Sequence, residues 1–515
     1  MKADKRVSSV GILALSGILA KIIGGIYRIP LTNMLGAEGI GQYQLVFPLY
    51  ALLVAATTTA MPILISRVVA GESSEYSYSF LRKGFIFSAI TGIFAALILG
   101  VLAYPMSLAQ GNLKGVFGYL AISPSLIVVP IIALLKGWFN GKLDIKPSAF
   151  ASIIEQTAKL LLGIAFILFA KDKSIYEKSA MALLAVTFAE IIALIPLVIY
   201  YFIKEGALRQ PSVVIKSRDI FRLSAPIVLG GLIFPFISFL DSLITVPLLN
   251  IGGMESGEAL SAYGLLTGAV ASVVGSPVVL TVAMVSVIIP VIARRVKEKN
   301  ITLLRRDGFL AMKTALFFSL PLALGLMCLA EPLTGALYPS LSEGSQQQIR
   351  LMLRISSAGI PLLALLQIYN SMLQAIGRSK HATLSLLLGG TVKIAVSFIA
   401  LPTLGILGGA LANVLCYGVG LLSSALFYSK FTGSYKSLIK NLAEIILSGG
   451  IMTLAVVTIE RIVKNIYLSI GLSVLVGCCI YFAAALLLKV FSKTELMLLP
   501  LSRFTLKISG YKEDI

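Results

Sequence analysis

Long apolar runs, separated by short polar or charged stretches, recur from the first residues of the chain to about residue 488. A membrane-spanning helix needs about 20 mostly apolar residues. By that measure the pattern predicts fourteen spans, at approximately 8–35, 41–66, 84–108, 116–135, 148–170, 180–203, 223–249, 260–293, 310–330, 351–374, 383–402, 405–428, 441–460 and 466–488. Several are long and carry Pro or Gly, so tilted or broken helices are expected. The fold class this predicts is an all-α polytopic membrane protein. The first run is too long for a signal-peptide core and lacks a small-residue cleavage pattern, so it reads as a retained helix.

The cationic residues test the span count. Of the 43 Lys and Arg, 31 fall in or at the edges of alternate loops that include both termini, eight in or at the edges of the other set of loops, and four lie deeper inside spans. An extra or missing span would scramble that alternation. The positive-inside rule then places both termini in the cytoplasm, with the loops near Glu38, Glu255 and Lys464 outside.

Short matches recur in order. Pro62-Ile-Leu-Ile-Ser-Arg67 parallels Pro290-Val-Ile-Ala-Arg-Arg295, and Leu81-Arg-Lys-Gly-Phe85 parallels Leu304-Arg-Arg-Asp-Gly-Phe309. Pro130-Ile-Ile-Ala-Leu-Leu135 parallels Pro361-Leu-Leu-Ala-Leu-Leu366, and Thr157-Ala-Lys159 parallels Thr391-Val-Lys393. The Pro62/Pro290, Pro130/Pro361 and Lys159/Lys393 offsets are 228, 231 and 234 residues. This predicts two six-helix lobes in parallel tandem repeat, residues 1–210 and 211–430, followed by two more helices and a cytoplasmic tail in 431–515. Such repeats surround a cavity and expose it to one side and then the other by rocking.

Composition narrows the function classes. Hydrophobic residues make up 57% and charged residues 13%, with mean hydropathy +0.95. Soluble domains run at about 45–50% and about 25%, so a soluble enzyme or nucleic-acid-binding domain is excluded. The net charge of +20 is mostly topology, with some attraction to anionic lipid. The four cysteines lie in apolar runs and the single histidine, His381, in a basic loop, which leaves no basis for a disulfide framework, a metal site or a catalytic triad. No phosphate-binding Gly-rich loop is present, and the longest soluble segments are about 20 residues. The chain therefore reads as a non-enzyme without a cofactor.

Ionisable groups inside spans mark functional candidates. Lys21, Gly25, Arg28 and Thr32 follow a 4-3-4 spacing that puts them on one helical face with no acid on it. A cationic face suits an anionic cargo, since Arg presents a planar fork to phosphate oxygens and Lys a point charge. Lys159 and Lys393 are further candidate substrate-binding cations, although Glu155 and Lys159, one turn apart, also suit an internal ion pair. Ser238, Asp241 and Thr245 share a face in the seventh span. Asp241 and Glu190 are candidate ion-coupling acids for Na⁺ or H⁺.

The segments Lys21-Ile-Ile-Gly-Gly-Ile-Tyr-Arg-Ile-Pro30, Leu35-Gly-Ala-Glu-Gly-Ile-Gly-Gln-Tyr-Gln-Leu45, Phe47-Pro48 and Met61-Pro-Ile-Leu-Ile-Ser-Arg67 resemble the polysaccharide-transporter branch of the MOP flippase superfamily. Within that branch the chain is similar to the stage V sporulation protein B group and to MurJ-type lipid II flippases, and more distantly to MATE exporters. The resemblance covers essentially the whole chain and implies fourteen helices in two six-helix lobes plus two. It also implies a monomeric flippase in the bacterial plasma membrane, carrying an undecaprenyl-diphosphate-linked glycan or peptidoglycan precursor alongside cell-wall synthesis proteins. By motif position Arg28 matches the first-helix Arg implicated in diphosphate binding. The acid that often follows that Arg is Ile29 here, and Ser272-Val-Val-Gly-Ser-Pro277 stands where the MurJ pattern has a further Arg. Two other readings remain open: a MATE-like cation-coupled multidrug antiporter, and a non-transporting scaffold of a wall-synthesis or sporulation complex.

Overall fold

The computed structural model describes residues 2–206, 213–275, 291–433 and 438–491, with side chains from residue 23 onward and excluding 438–441. Every regular element among them is helical. That is the expected outcome for a chain in lipid, where backbone polar groups have no water to turn to and must bond within their own segment.

The helices are α1 (Lys2–Thr58), α2 (Met61–Gly71), α3 (Ser74–Ala109), α4 (Val116–Ile122), α5 (Ser125–Gly141), α6 (Lys146–Phe169), α7 (Ile175–Glu205), α8 (Ser217–Ile251) and α9 (Ser256–Gly264). After residues 276–290 come α10 (Ile301–Cys328), α11 (Ala330–Leu337), α12 (Glu343–Ser357), α13 (Gly359–Ala375), α14 (Ser379–Leu404), α15 (Ile406–Thr432), α16 (Leu438–Ile462) and α17 (Ile466–Leu487). Starts are fixed by local chemistry. Ser73, Asn300, Ser342 and Asn465 each accept a backbone N–H of the following turn, and Ser174 with Glu177 forms a reciprocal capping box.

Thirteen segments of the described residues are long and apolar enough to cross a membrane. The first of them, the 49 residues of Ile23–Gly71, runs from within the first predicted span through the whole of the second. A straight helix of that length would extend about 74 Å at 1.5 Å per residue, more than twice the ~30 Å hydrocarbon core. The turn expected around Glu38 is instead a break at one residue, Gly36, with φ 68° and ψ −177°. A side chain at that φ would be strained, whereas glycine takes it readily. The other twelve segments each match one predicted span; the eighth is described as far as Gly275, and its residues 276–290, Pro290 among them, lie outside the described residues.

The two spans carrying the matched Pro130 and Pro361 are each built from two helices. One is interrupted at Ser123–Pro124, between α4 and α5, the other at Ala358, between α12 and α13.

The chain divides into two compact units, Met1–Ser272 with Leu401–Ile406, and Val273–Ala400 with Leu407–Ile515. The predicted boundary near residue 210 follows the sequence repeat; the compact units follow packing, which joins α8 and α9 to the first unit. Glycine makes that possible. A Cβ on Gly41 would stand 2.1 Å from the Leu260 carbonyl oxygen, and one on Gly264 would stand 2.2 Å from the Gly41 nitrogen. Small residues let helix backbones approach this closely in membranes. In the second unit Phe317, Met452 and Tyr481 belong to one buried cluster, and Met312, Met372 and Tyr428 to another.

Candidate functional site: a charge-balanced network beside Arg28

Three neighbouring helices of the first unit bring four charged side chains together. Lys159 and Glu155 stand one turn apart on α6, and the Lys159 Nζ lies 2.8 Å from Glu155 Oε1. The same ammonium lies 2.8 Å from Glu190 Oε1 on α7. The other Glu155 oxygen is 3.3 Å from the Nζ of Lys136 on α5. Lys136 also donates to the Ser152 hydroxyl at 3.0 Å, and the Gln156 amide donates to Glu155 at 3.0 Å. Glu190 is 5% exposed. Two ammonium groups and two carboxylates sum to zero, which is how such costly groups are tolerated at this depth.

The network therefore uses the Glu155–Lys159 pair expected from spacing and adds partners that spacing cannot show. Lys136 was expected in an inward loop. It lies instead within α5, inside the crossing segment Leu113–Gly141, because the Glu155 carboxylate neutralises it there. Lys313, near the start of the span predicted at 310–330, lies inside α10. It is 4% exposed, with its ammonium 4.9 Å from the Phe491 ring centroid.

Arg28 stands beside this network on a different chemical footing. Its helix packs on α6 through glycine. A Cβ on Gly24 would meet the Gln156 Oε1 at 2.8 Å, and one on Gly163 would meet the Tyr27 hydroxyl at 2.5 Å. Tyr27, Leu31 and Leu35 are buried, and Arg28 lies half-buried on the adjoining face. No carboxylate among the described residues pairs with it. Thr32, on the same stripe, is fully buried and donates to the Arg28 carbonyl at 2.8 Å, so its hydroxyl is committed to its own helix. The side chain of Lys21 lies outside the described residues.

The remaining candidates lie elsewhere. Asp241 is half-buried on α8, where Thr245 donates to its carbonyl at 2.7 Å and Ser238 donates to the Phe234 carbonyl at 3.1 Å. Lys393 is half-buried on α14, one turn before the fully buried Ser397. Both Asp241 and Lys393 have interaction partners. The structure thus joins Lys159 to Glu190 and leaves Asp241 and Arg28 outside that network.

The second unit holds a neutral counterpart. Ser385 and Ser424 both donate to the Asn370 Oδ1, at 2.9 and 2.8 Å, and their hydroxyls are 2.7 Å apart. Asn370 and Ser424 follow Lys136 and Glu190 by the same 234 residues that separate Lys393 from Lys159, and Ser385 follows Ser152 by 233. At the position of Glu155 stands Gly389, where a Cβ would come 2.6 Å from the Cys416 carbonyl oxygen. The repeat keeps a polar cluster in this region, with Asn370, Gly389 and Ser424 in place of three of the four charged residues and Lys393 in place of the fourth.

At the loop end of the first unit, Asp144 accepts from Tyr200 at 2.9 Å and from Lys204, while Glu205 accepts from Tyr78 and Lys142. Lys142 also stands 4.6 Å from the Trp138 ring centroid. Burial raises the Asp144 pKa, but the hydrogen bonds from Lys204 and Tyr200 and the Lys204 charge outweigh it, so the carboxyl lies below its ordinary value.

A family model described as "Polysaccharide biosynthesis protein" matches residues 7–296. Over 493 residues the chain is 27% identical to the lipid II flippase MurJ of Bacillus subtilis, covering 89% of each. It is 23% identical over 513 residues to stage V sporulation protein B of the same organism, covering 95% of this chain and 96% of that one. The solved structure titled lipid II flippase MurJ, inward closed conformation, superposes with a TM-score of 0.73 at 17% identity, covering 93% of this chain and 98% of that one. The two sequence relatives are named as a lipid II flippase and a sporulation protein, and the solved structure shares the fold of this chain. The chain is a multi-pass membrane protein and belongs to the polysaccharide biosynthesis protein family.

Proposed function

We propose that the chain is an alternating-access flippase that moves an undecaprenyl-diphosphate-linked oligosaccharide or peptidoglycan precursor across the bacterial plasma membrane, with both termini in the cytoplasm. The observation that carries this reading is Arg28. It is half-buried in a membrane helix, free of any carboxylate partner among the described residues, and packed beside a network whose own charges cancel. Lys136 and Lys159 are neutralised, so their contribution to an anionic cargo is the smaller one. An unneutralised guanidinium in hydrocarbon needs an anion or water, and a diphosphate matches its fork. Asp241, half-buried on α8 and outside the Lys159 network, is the acid assigned to coupling with Na⁺ or H⁺.

The test is flipping of defined lipid-linked donors by the protein reconstituted in vesicles. Movement of a diphosphate-linked glycan lipid that Arg28→Ala abolishes supports the reading. Efflux of cationic drugs with no lipid movement would reassign the chain to the antiporter class, and activity in neither assay would favour the scaffold.

A further inference from the structure

The first unit contains a cavity of about 390 Å³ that the proposed transport does not use. One wall is the end of α1 and the start of α2, with Thr57 and Met61; a second is α3, with Phe87 and Thr91; the third is α8, with Phe221, Ala225 and Val228. Its volume falls in the range of about 300–1,000 Å³ usual for ligand sites. Such sites have a few convergent polar groups, and this one has none to spare. The three hydroxyls on its walls are turned back onto their own helices: Thr57 donates to Leu53 at 2.9 Å, Thr91 to Phe87 at 2.9 Å and Ser224 to Phe221 at 3.0 Å. The cavity therefore offers an occupant only hydrocarbon.

One end is different. On α8, Arg218, Phe221, Arg222, Ala225 and Val228 follow helical spacing, so the two guanidinium groups continue the stripe that lines the cavity. Asp219 is off that stripe. On α3, Lys83 stands one turn before Phe87, which stands one turn before Thr91. Between α3 and α8 the chain crosses the membrane three times, so these two helices run in the same direction. Lys83 precedes the lining residues of α3, Arg218 precedes all of those on α8 and Arg222 all but Phe221, so the three share one end of the cavity, the end that the charge pattern places in the cytoplasm. Arg218 and Arg222 are exposed, and none of the three has an ion-pair partner among the described residues.

We propose that this groove holds an acyl chain of an anionic phospholipid, with its phosphate held by Lys83, Arg218 and Arg222. An apolar slot capped by basic residues at the cytoplasmic face is the arrangement that recognises such headgroups. The groove lies toward the far end of α1 from Arg28, beyond the break at Gly36, and is lined by none of the residues packed around Arg28. It is therefore assigned to a resident lipid and not to the polyprenyl tail of a cargo, and does not depend on what the cargo is.

Native mass spectrometry of the purified full-length protein, titrated with phosphatidylglycerol or phosphatidylcholine, tests it. The parent should retain one phosphatidylglycerol at least several-fold more strongly than phosphatidylcholine. Ala225→Trp, which fills the slot, should lower that retention about tenfold, and Arg218→Gln/Arg222→Gln should bring the two lipids level. If Ala225→Trp does not fold, the double variant, changed only at exposed positions, decides. Equal retention of the two lipids by the parent, unchanged preference in the double variant, or displacement of the lipid by undecaprenyl phosphate would each overturn the proposal.

Discussion

The ammonium of Lys159 lies 2.8 Å from the carboxylate of Glu190, a residue on the next helix and outside the reach of any local spacing rule. That contact turns an intrahelical pair into a network across α5, α6 and α7. Breaking one partner of such a buried pair leaves an uncompensated charge and typically costs about 3–5 kcal/mol. Lys159→Met should therefore unfold the protein at markedly lower temperature in detergent. Lys159→Met combined with Glu190→Gln should recover most of the loss, because Glu155 keeps Lys136. Thermal melts of the two variants check this, and a double variant no more stable than Lys159→Met would mean that removing Lys159 leaves no uncompensated charge at Glu190.

The approach of α1 to α9 gives a second prediction. Gly264→Ala places a methyl group 2.2 Å from the Gly41 nitrogen, so the two helices must separate. Overpacking of this kind costs about 1–3 kcal/mol. Gly257→Ala, one helix turn or more away with nothing within 4 Å, is the control and should melt like the parent.

How much of this was legible before the structure depended on the range of the interaction. Spans were legible because hydropathy is a property of contiguous residues. The Glu155–Lys159 pair was legible because i,i+4 neighbours share a face. Lys136 was not, since a lysine at the end of an apolar run reads as a loop charge until the carboxylate on another helix is known. The break at Gly36 was expected as a short loop, because a single left-handed glycine within helical sequence leaves no run of turn residues. Lys21, Gly25, Arg28 and Thr32 share a spacing, yet Thr32 is fully buried; periodicity gives a face and not the neighbour that covers it. The uncharged cluster at Asn370, Ser385 and Ser424 was missed because Asn and Ser in apolar helices carry no periodic signal, and only the repeat offset connects them to Lys136, Ser152 and Glu190.

Asp144 gives a dependence on pH. Its folded pKa lies below the ordinary value, so the stability it contributes is present above that ordinary value and is lost as pH falls through the lowered one. Melting temperature should therefore fall as pH is taken from 7 toward 3, and part of that fall should be missing in Asp144→Asn, which starts lower at pH 7. The same slope in parent and variant would show that the Lys204–Asp144 contact adds nothing in solution.

Topology is tested by labelling. In a variant without native cysteines, a Cys placed at Glu255 should react with an impermeant reagent added outside, and one at Lys297 should not. Glu255 precedes α9 and Lys297 lies in the segment before α10, on opposite sides of a single predicted span. The reverse pattern would invert the orientation inferred from the loop charges.

Arg28 carries the last prediction. Its helix is fixed on α6 by the contacts at Gly24 and Gly163, which hold the guanidinium in place without neutralising it. Arg28→Lys keeps the charge and loses the planar fork; Arg28→Ala loses both. A charge-assisted hydrogen bond contributes roughly 1.5–3 kcal/mol, so Ala should weaken binding of a diphosphate-linked lipid on the order of ten- to a hundredfold. Lys should fall between Ala and the parent. Neither substitution disturbs an ion pair among the described residues, so both variants should insert and melt like the parent, in contrast to Lys159→Met. That contrast separates a binding role from a structural one. Binding of lipid-linked diphosphate to the purified variants measures it, and an Arg28→Ala protein that binds as tightly as the parent would make the cationic face of α1 a packing feature and move the cargo site elsewhere.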